Sequence, residues 1–474
     1  MKEYRILQGG MGAGVSNWKL ARAVGESGEI GVVSGTAMDV ILVRRLQQGD
    51  LDGSMRRALS HFPLKDEAEK IINKYYVEGG IPAGTPYKQI EMYTMTPSRE
   101  LQVLTAAANF AEVFLAKEGH DNPIGINLME KVILPNLASL YGAMLAGVDY
   151  VVMGAGIPRE IPAALDRLAA GEDAFLRLNV AGADSDEEYR INFSPKEIMG
   201  SELTEIKRPK FYAIVSSNIL ATTMVKKTKP PVDGLVIEHN TAGGHNAPPR
   251  GGMELDAGGE PIYTEKDEVE LEKVKSLNVP FWLGGSWGEP GKLRAAISAG
   301  AQGIQVGTIF AMCKESGFVD SVKKAIIQRL PDVFTDPKAS PTGFPFKVVR
   351  LQNTLSELEN YLKRPRICNL GYLRALYKKE DGTVGYRCAA EPLDSYLKKG
   401  GKEEDTHGRK CLCNALVANI GLPTIYKSGY IEQYLITAGD TLKKIREFIK
   451  EGTDTISAAE IIEILLMDTA PSKA

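Results

Sequence analysis

Residues 233–252 have the sequence DGLVIEHNTAGGHNAPPRGG, in which a short apolar run meets a polar, glycine-rich segment. An apolar run of this length between turn-forming residues is typical of a buried β-strand, here over residues 234–237. The following residues have neither helical nor alternating spacing, and Gly, Pro and Asn are frequent, so we expect a loop. In α/β barrels, the loops at the carboxyl ends of the strands carry the chemistry. The stretch therefore predicts a barrel strand followed by a functional loop.

His245 is the candidate catalytic residue of this loop. Gly243 and Gly244 precede it and have no Cβ atom, so a flat ligand can approach their backbone closely. An unperturbed histidine exchanges a proton near neutral pH. A Gly-Gly-His triplet on its own is more often a turn beside a surface histidine, so this interpretation depends on signals elsewhere in the chain. His239 lies nearer the strand end, where we expect a structural hydrogen bond.

Seven more short apolar segments alternate with helical ones, which predicts the fold class α/β with a (β/α)8 TIM barrel. We predict one domain over residues 1–320, with insertions at about residues 51–99 and 171–205. The first insertion has two equally supported interpretations, a lid and a solvated excursion. The second alternates as a β-hairpin does. The eight predicted strands cover residues 6–8, 31–35, 124–128, 150–154, 211–217, 234–237, 280–283 and 303–306.

Two local signals predict helices. Ser16 is expected to cap a helix that runs to Ala23, because a serine hydroxyl accepts hydrogen bonds from first-turn amides. The apolar spacing of residues 265–277 predicts one helix before the seventh strand. The glycine-rich segment at residues 9–14 does not match G-x-G-x-x-G, because Asn17 replaces the last glycine, so a Rossmann phosphate loop is disfavoured.

The last two strands end in Gly284-Gly285 and Gly307-Thr308. In barrels these two loops commonly hold a phosphate, since glycines leave backbone N–H groups accessible and a threonine hydroxyl can donate a further hydrogen bond. A phosphate site beside a glycine loop and a histidine suits flavin mononucleotide (FMN), a planar cofactor that carries the electrons while the protein orients it.

Four motifs in this order resemble the nitronate monooxygenase family, formerly called 2-nitropropane dioxygenases: QGGMG at residues 8–12, GIN at 125–127, AGGH at 242–245 and QVGTIF at 305–310. The family also includes FMN-dependent enoyl-acyl-carrier-protein reductases and the enoyl-reductase component of polyunsaturated fatty acid synthases. The resemblance, over roughly residues 4–315, implies FMN as cofactor and His245 as the proton-transfer residue. It implies that the cofactor is bound by Gly10, Met11, Gly12, Asn127, Gly243, Gly244, Gly284, Gly285, Gly307 and Thr308.

The resemblance implies an oxidoreductase, and the reaction stays open at this point. The first hypothesis is oxidation of alkyl nitronates with oxygen, as in nitronate monooxygenase. The alternative is an enoyl-thioester reductase with NAD(P)H as electron donor, and three features of the chain lean toward it. Residues 239–241 precede the AGGH motif, the loop after it is long and rich in proline, and the chain continues well past the eighth strand. A sugar-phosphate isomerase or aldolase and a non-catalytic flavin-binding subunit are further alternatives, because this fold hosts many chemistries.

Residues 321–474 are predicted to form a mostly helical extension or subdomain. It contains Cys368, Cys388, Cys411 and Cys413, whose spacings match no usual zinc knuckle, so we expect reduced buried thiols and no metal.

The 474 residues carry a formal net charge of −3, which gives no reason to expect nucleic acid or a membrane as partner. We expect a small-molecule or acyl-thioester substrate and a homodimer. Five cysteines, and no apolar run of signal-peptide or membrane-span length, predict a cytoplasmic protein.

Overall fold

The computed structural model describes residues 3–467 and contains the predicted barrel. Its eight parallel strands are β1 (Ile6–Gln8), β2 (Gly31–Ser34), β3 (Ile124–Met129), β4 (Tyr150–Gly154), β5 (Lys210–Val215), β6 (Gly234–Glu238), β7 (Phe281–Gly284) and β8 (Gly303–Val306). They lie in the order β1-β8-β7-β6-β5-β4-β3-β2. A parallel bridge between Leu7 and Ile30 joins β1 to the residue before β2, so the ring is nearly closed.

Helices cover the outside of the barrel. Helix Arg99–Lys117 is buried along most of its length and packs closely on helix Asn136–Leu145. A Cβ at Gly142 would lie 2.0 Å from the Ala106 carbonyl oxygen, so this approach requires glycine. The other helices up to residue 311 are Trp18–Glu26, Met38–Gln47, Ser54–His61, Lys65–Tyr75, Ile161–Ala169, Pro195–Met199, Asn218–Lys226, Leu271–Lys275, Lys292–Ser298 and Thr308–Ala311.

A separate apolar cluster fills the barrel interior. It comprises Leu7, Ile30, Val32, Val152, Tyr212, Val236 and Trp282, which come from six strands and the residue before β2. Side chains two residues apart on a strand share a face. Glu238, Ile214 and Gly154 therefore form the next layer above Val236, Tyr212 and Val152, at the carboxyl ends of the strands. This layer is the floor on which a ligand would rest.

Two of the helix predictions are wrong. The cap of the first helix is Asn17, whose side chain accepts from the Leu20 N–H, while the Ser16 hydroxyl turns inward to the Gly9 carbonyl. Residues 265–277 form no single helix but a 3-10 turn at Glu265–Asp267 and a short helix at Leu271–Lys275. The Asn218 side chain hydrogen-bonds both the N–H and the C=O of Glu270, which holds that residue extended.

The second insertion contains the predicted hairpin, in which Ala174–Leu178 pairs antiparallel with Tyr189–Phe193. Its short strand Val180–Ala181 also pairs with Ala375–Lys378, which in turn pairs with Val384–Arg387. The insertion is thus joined by a sheet to the C-terminal extension.

The C-terminal extension contains short strands beside its predicted helices. Strand Phe346–Val349 pairs with Val333–Asp336 on one side and with Gly244–His245 on the other. The helices are Asp320–Arg329, Leu358–Lys363, Leu393–Lys398, Leu412–Ala418 and Ala458–Leu466, with 3-10 helices at Glu403–Thr406 and Asp440–Phe448. The division into domains at residue 320 stays a prediction.

Within residues 3–467, none of the helices combines the length and the apolar character that crossing a membrane requires.

Candidate active site

A cavity at the carboxyl ends of the barrel strands brings the predicted site residues together. His245 lines it, together with nine of the ten residues expected to bind the cofactor. Gly284 is the exception, since it lies inside the barrel one residue below the rim. A Cβ there would lie 3.1 Å from the Gln305 side-chain oxygen, so this glycine leaves room for the Gln305 amide. The nine are Gly10, Met11, Gly12, Asn127, Gly243, Gly244, Gly285, Gly307 and Thr308.

Glycine is needed at different positions of the cavity for different structural reasons. A Cβ at Gly10 would lie 2.1 Å from the Asn127 Cβ, so Gly10 makes space for that side chain. A Cβ at Gly243 would lie 2.6 Å from the backbone of Ala438 in the extension. Gly244 has φ +82° and nothing within 4 Å of a Cβ, and Gly307 meets only the Met11 side chain at 3.5 Å. Gly244 and Gly307 therefore leave open space for a ligand, while Gly10 and Gly243 serve local packing.

Three polar side chains lie on the cavity wall without a protein partner. Asn127 on β3, Glu238 on β6 and Gln305 on β8 all line the cavity. Within residues 3–467, none of the three side chains makes a hydrogen bond. Groups of this kind in a native site are expected to be satisfied by water or by a ligand. The wall thus offers amide and carboxyl groups to a polar, planar molecule.

His245 is held on a strand of its own small sheet. Its Nε2 is hydrogen-bonded to the Ser340 hydroxyl at 2.7 Å, and Ser340 is bonded to the Thr342 hydroxyl at 2.7 Å. The ring packs edge-on against Phe346, with the ring centroids 4.7 Å apart. Burial, with a smaller effect from Lys131, lowers the pKa of His245 to about 3. The imidazole is therefore neutral at physiological pH, contrary to the expectation of a histidine that titrates near neutrality.

His239 makes the structural contacts that its position predicts. Its Nε2 is paired with the Glu268 carboxylate at 2.9 Å and its Nδ1 with the Thr241 hydroxyl at 3.2 Å. It is not among the cavity-lining residues.

The glycine-rich ends of β7 and β8 contact the extension within the cavity lining. Gly285, Gly288, Gly307 and Thr308 line the cavity, as do Thr437, Ala438 and Thr441 of the extension. The Thr308 hydroxyl accepts a hydrogen bond from the Gly439 N–H at 2.8 Å. Its hydroxyl hydrogen remains available, so Thr308 can still donate to an anion.

The extension contributes an apolar wall to the cavity. Its side chains are Phe346, Tyr372, Leu373, Leu412 and Leu416, and Val132 of the barrel adds to it. Phe346, Leu373, Leu412 and Leu416 belong to one apolar cluster. A wall of this kind favours a hydrocarbon portion of a ligand, because burial removes apolar surface from water.

Sequence reasoning missed two titratable residues near the site. Burial raises the pKa of the Glu238 carboxyl to about 7. Glu238 is the polar residue that ends the apolar run of β6, the same signal that identified Asn127 on β3. Lys131 follows β3 by two residues. Its buried Nζ lies over the Phe344 ring and has no hydrogen-bond partner among residues 3–467. Burial lowers the pKa of Lys131 to about 7. No sequence signal distinguishes it, and it does not line the cavity.

The four cysteines of the extension gather into one small cluster with Ala390. Burial raises the pKa of Cys411 and Cys413, and a hydrogen bond with the Cys388 thiol lowers the pKa of Cys368 to about 7. In the described part of the chain, no group of three or more His, Cys, Asp or Glu side chains is arranged to hold a metal ion.

None of residues 51–99, the first insertion, lines the cavity. The Tyr93 hydroxyl donates to Thr105, and the Met95 N–H donates to the Tyr386 hydroxyl of the extension. The insertion is therefore anchored by buried contacts, and its position does not favour the lid interpretation.

Comparison with known proteins supports the motif-based resemblance. The family model described as nitronate monooxygenase matches residues 204–359, which span β5 to β8 and the first strands of the extension. A search of curated proteins found no match.

Three similar solved structures each align over 98% of this chain. Nitroalkane oxidase from Streptomyces ansochromogenes is 15% identical to this chain, with 96% of its own chain covered and a TM-score of 0.47. FabK from Thermotoga maritima is 16% identical, with 92% of its chain covered and a TM-score of 0.46. The enoyl reductase domain of MlnA from Bacillus amyloliquefaciens is 13% identical, with 93% of its chain covered and a TM-score of 0.48.

Proposed function

We propose that this protein is an FMN-dependent oxidoreductase that reduces the double bond of an enoyl thioester with NAD(P)H. The observation that carries the choice of substrate is the apolar wall supplied by the extension, in the same cavity as the glycine-rich strand ends. A small nitronate needs no such wall, whereas an acyl chain gains free energy from it. The overall reaction consumes NAD(P)H and one proton, and it yields the saturated thioester and NAD(P)+.

The cavity fits FMN on two observations. The partnerless side chains of Asn127, Glu238 and Gln305 suit a ring system rich in carbonyl and ring-nitrogen groups. Gly285, Gly307 and Thr308 suit the phosphate, because their backbone N–H groups and the Thr308 hydroxyl are donors. When bound, FMN supplies the hydride that the thioester receives at its β-carbon.

His245 then has to move a proton without first becoming charged. Its low pKa excludes a stored imidazolium, so it acts as a neutral donor. The Ser340 hydroxyl lies at hydrogen-bond distance from Nε2, which leaves Nδ1 to carry the ring hydrogen. In this arrangement Nδ1 gives its proton to the α-carbon of the substrate, while Ser340 passes its proton to Nε2 and takes one from the Thr342 hydroxyl, which solvent reprotonates. The imidazole remains neutral before and after the transfer.

Nitronate oxidation is the second candidate, because the matching family model carries that name. It uses the same FMN site and the same histidine but needs oxygen instead of NAD(P)H. An aldolase acting through a lysine imine is less supported, since Lys131 does not line the cavity.

The choice of substrate predicts a chain-length effect for Leu416→Ala. Leu416 belongs to the apolar wall, so shortening it removes contact area for a long acyl chain but not for a four-carbon one. We expect kcat/KM to fall by about 5- to 30-fold for a long-chain enoyl thioester, which corresponds to roughly 1–2 kcal/mol of lost burial. The four-carbon substrate should change little.

Leu358→Ala is the control, because Leu358 is an exposed leucine of the same extension. Equal losses for both chain lengths in Leu416→Ala would remove the wall as the acyl site.

A further inference from the structure

Among residues 3–467, Glu238 is the one acidic side chain that lines the cavity. It lies at the carboxyl end of β6, on the strand face that points into the barrel two residues above Val236. Its backbone is paired in register with Gly284 of β7. Since Gly284 has no side chain, the space beside Glu238 extends to the Gln305 amide, whose oxygen would lie 3.1 Å from a Cβ at Gly284.

We propose that Glu238 binds the flavin ring as a neutral carboxylic acid that donates a hydrogen bond to one of its carbonyl or ring-nitrogen acceptors. The inference rests on the proposed function only in taking FMN as the ligand. Asn127 and Gln305 provide further polar contacts on the same wall. A protonated carboxyl has one O–H donor, which an ionised carboxylate lacks.

The surroundings of Glu238 favour the protonated form. The side chain has no hydrogen-bond partner and no ion pair within residues 3–467, and burial alone raises its pKa to about 7. An unpaired carboxylate in a buried site is unfavourable, because burial penalises the charged form. A bound ring that accepts a hydrogen bond from the acid stabilises the protonated form further.

The other titratable residues that line the cavity do not change charge between pH 5.5 and 8.5. His245 is neutral over this range, because its pKa is about 3. Burial raises the pKa of Tyr372 and of Cys413 well above their usual ranges, so both also stay neutral. The two strands that flank β6 place no charged side chain beside Glu238. On β7 the paired residue is Gly284, and β5 ends at the uncharged Val215. Glu238 is therefore the lining residue whose ionisation can make ring binding depend on pH.

The experiment measures the Kd of riboflavin and of FMN by flavin fluorescence on the cofactor-free full-length protein, from pH 5.5 to 8.5. Riboflavin has no phosphate, so its binding is not affected by ionisation of that group. In the native protein we expect riboflavin binding to weaken at least fivefold as pH rises through about 7, because the donor is lost. Glu238→Gln keeps an uncharged donor at every pH, so its Kd should be nearly constant.

Glu130→Gln is the matched control. Glu130 is another carboxyl whose pKa burial raises, but it does not line the cavity, so this variant should keep the native pH dependence. A pH-independent Kd in the native protein would overturn the proposal without any variant. The same would follow if Glu238→Gln kept the native pH dependence. If neither flavin binds any variant at any pH, the proposed function fails instead, so the two failures are distinguishable.

Discussion

The environment of His245 determines what its replacement should do. The ring contacts Phe346 and Ser340 on the extension and lines the cavity, so its loss removes a proton-transfer group without removing a proposed phosphate contact. We expect His245→Ala to retain FMN and to lower kcat/KM by about 10²–10⁴-fold, the usual contribution of a general acid–base group. The measurement is steady-state kinetics together with the flavin content of the purified variant.

His239→Ala is the control for His245→Ala. His239 pairs with Glu268 outside the cavity lining, so its loss should change kcat/KM far less. Equal and small losses in the two variants would remove His245 from the mechanism.

Some properties of the site residues were predictable from the sequence and others were not. Asn127 was identified because a polar residue inside an apolar run has to face something other than the core, and Glu238 satisfies the same criterion. The neutral state of His245 was not predictable, because its cause is burial under Phe346 and Ser340, about a hundred residues further along the chain. Sequence spacing does not report contacts of that kind.

Among the elements, the barrel strands were predictable and the contacts of the extension were not. Short apolar runs are a local signal, and all eight strands were confirmed within a few residues. The pairing of Phe346–Val349 with Gly244–His245 joins segments far apart in sequence. The helix predicted over residues 265–277 failed for the same reason. A distant side chain, that of Asn218, overrides the local helical preference at Glu270.

A buried ion pair stabilises the extension. Arg364 makes two hydrogen bonds to the Glu432 carboxylate, and the two side chains are 3% and 0% exposed. Arg364→Leu leaves the Glu432 charge buried without its partner. We expect the free energy of unfolding to fall by about 3–5 kcal/mol, measured by urea denaturation.

The exposed pair of Lys444 and Glu447 is the control, with side chains 46% and 47% exposed. Lys444→Ala should leave the free energy of unfolding nearly unchanged, because solvent screens an exposed pair. A comparable small loss in Arg364→Leu would show that the pair does not hold the extension in place.

For the whole molecule, the barrel and the extension act together in one site. The barrel provides the glycine-rich ends and the polar wall, and the extension provides the apolar wall and the hydroxyl beside His245. The barrel motifs alone do not decide between nitronate oxidation and enoyl reduction, because we propose the same FMN site for both reactions. Our choice between them rests on the apolar wall, which comes mostly from residues beyond the barrel and became visible only in the structure.

Anaerobic stopped-flow spectroscopy of the FMN-loaded full-length protein tests this account most directly. NADH or NADPH should bleach the visible absorbance of the flavin, and a long-chain enoyl thioester mixed in afterwards should restore it within the turnover time. A nitronate should not bleach the flavin. Bleaching by a nitronate, with no reaction toward either nicotinamide, would contradict the account and assign the site to nitronate oxidation.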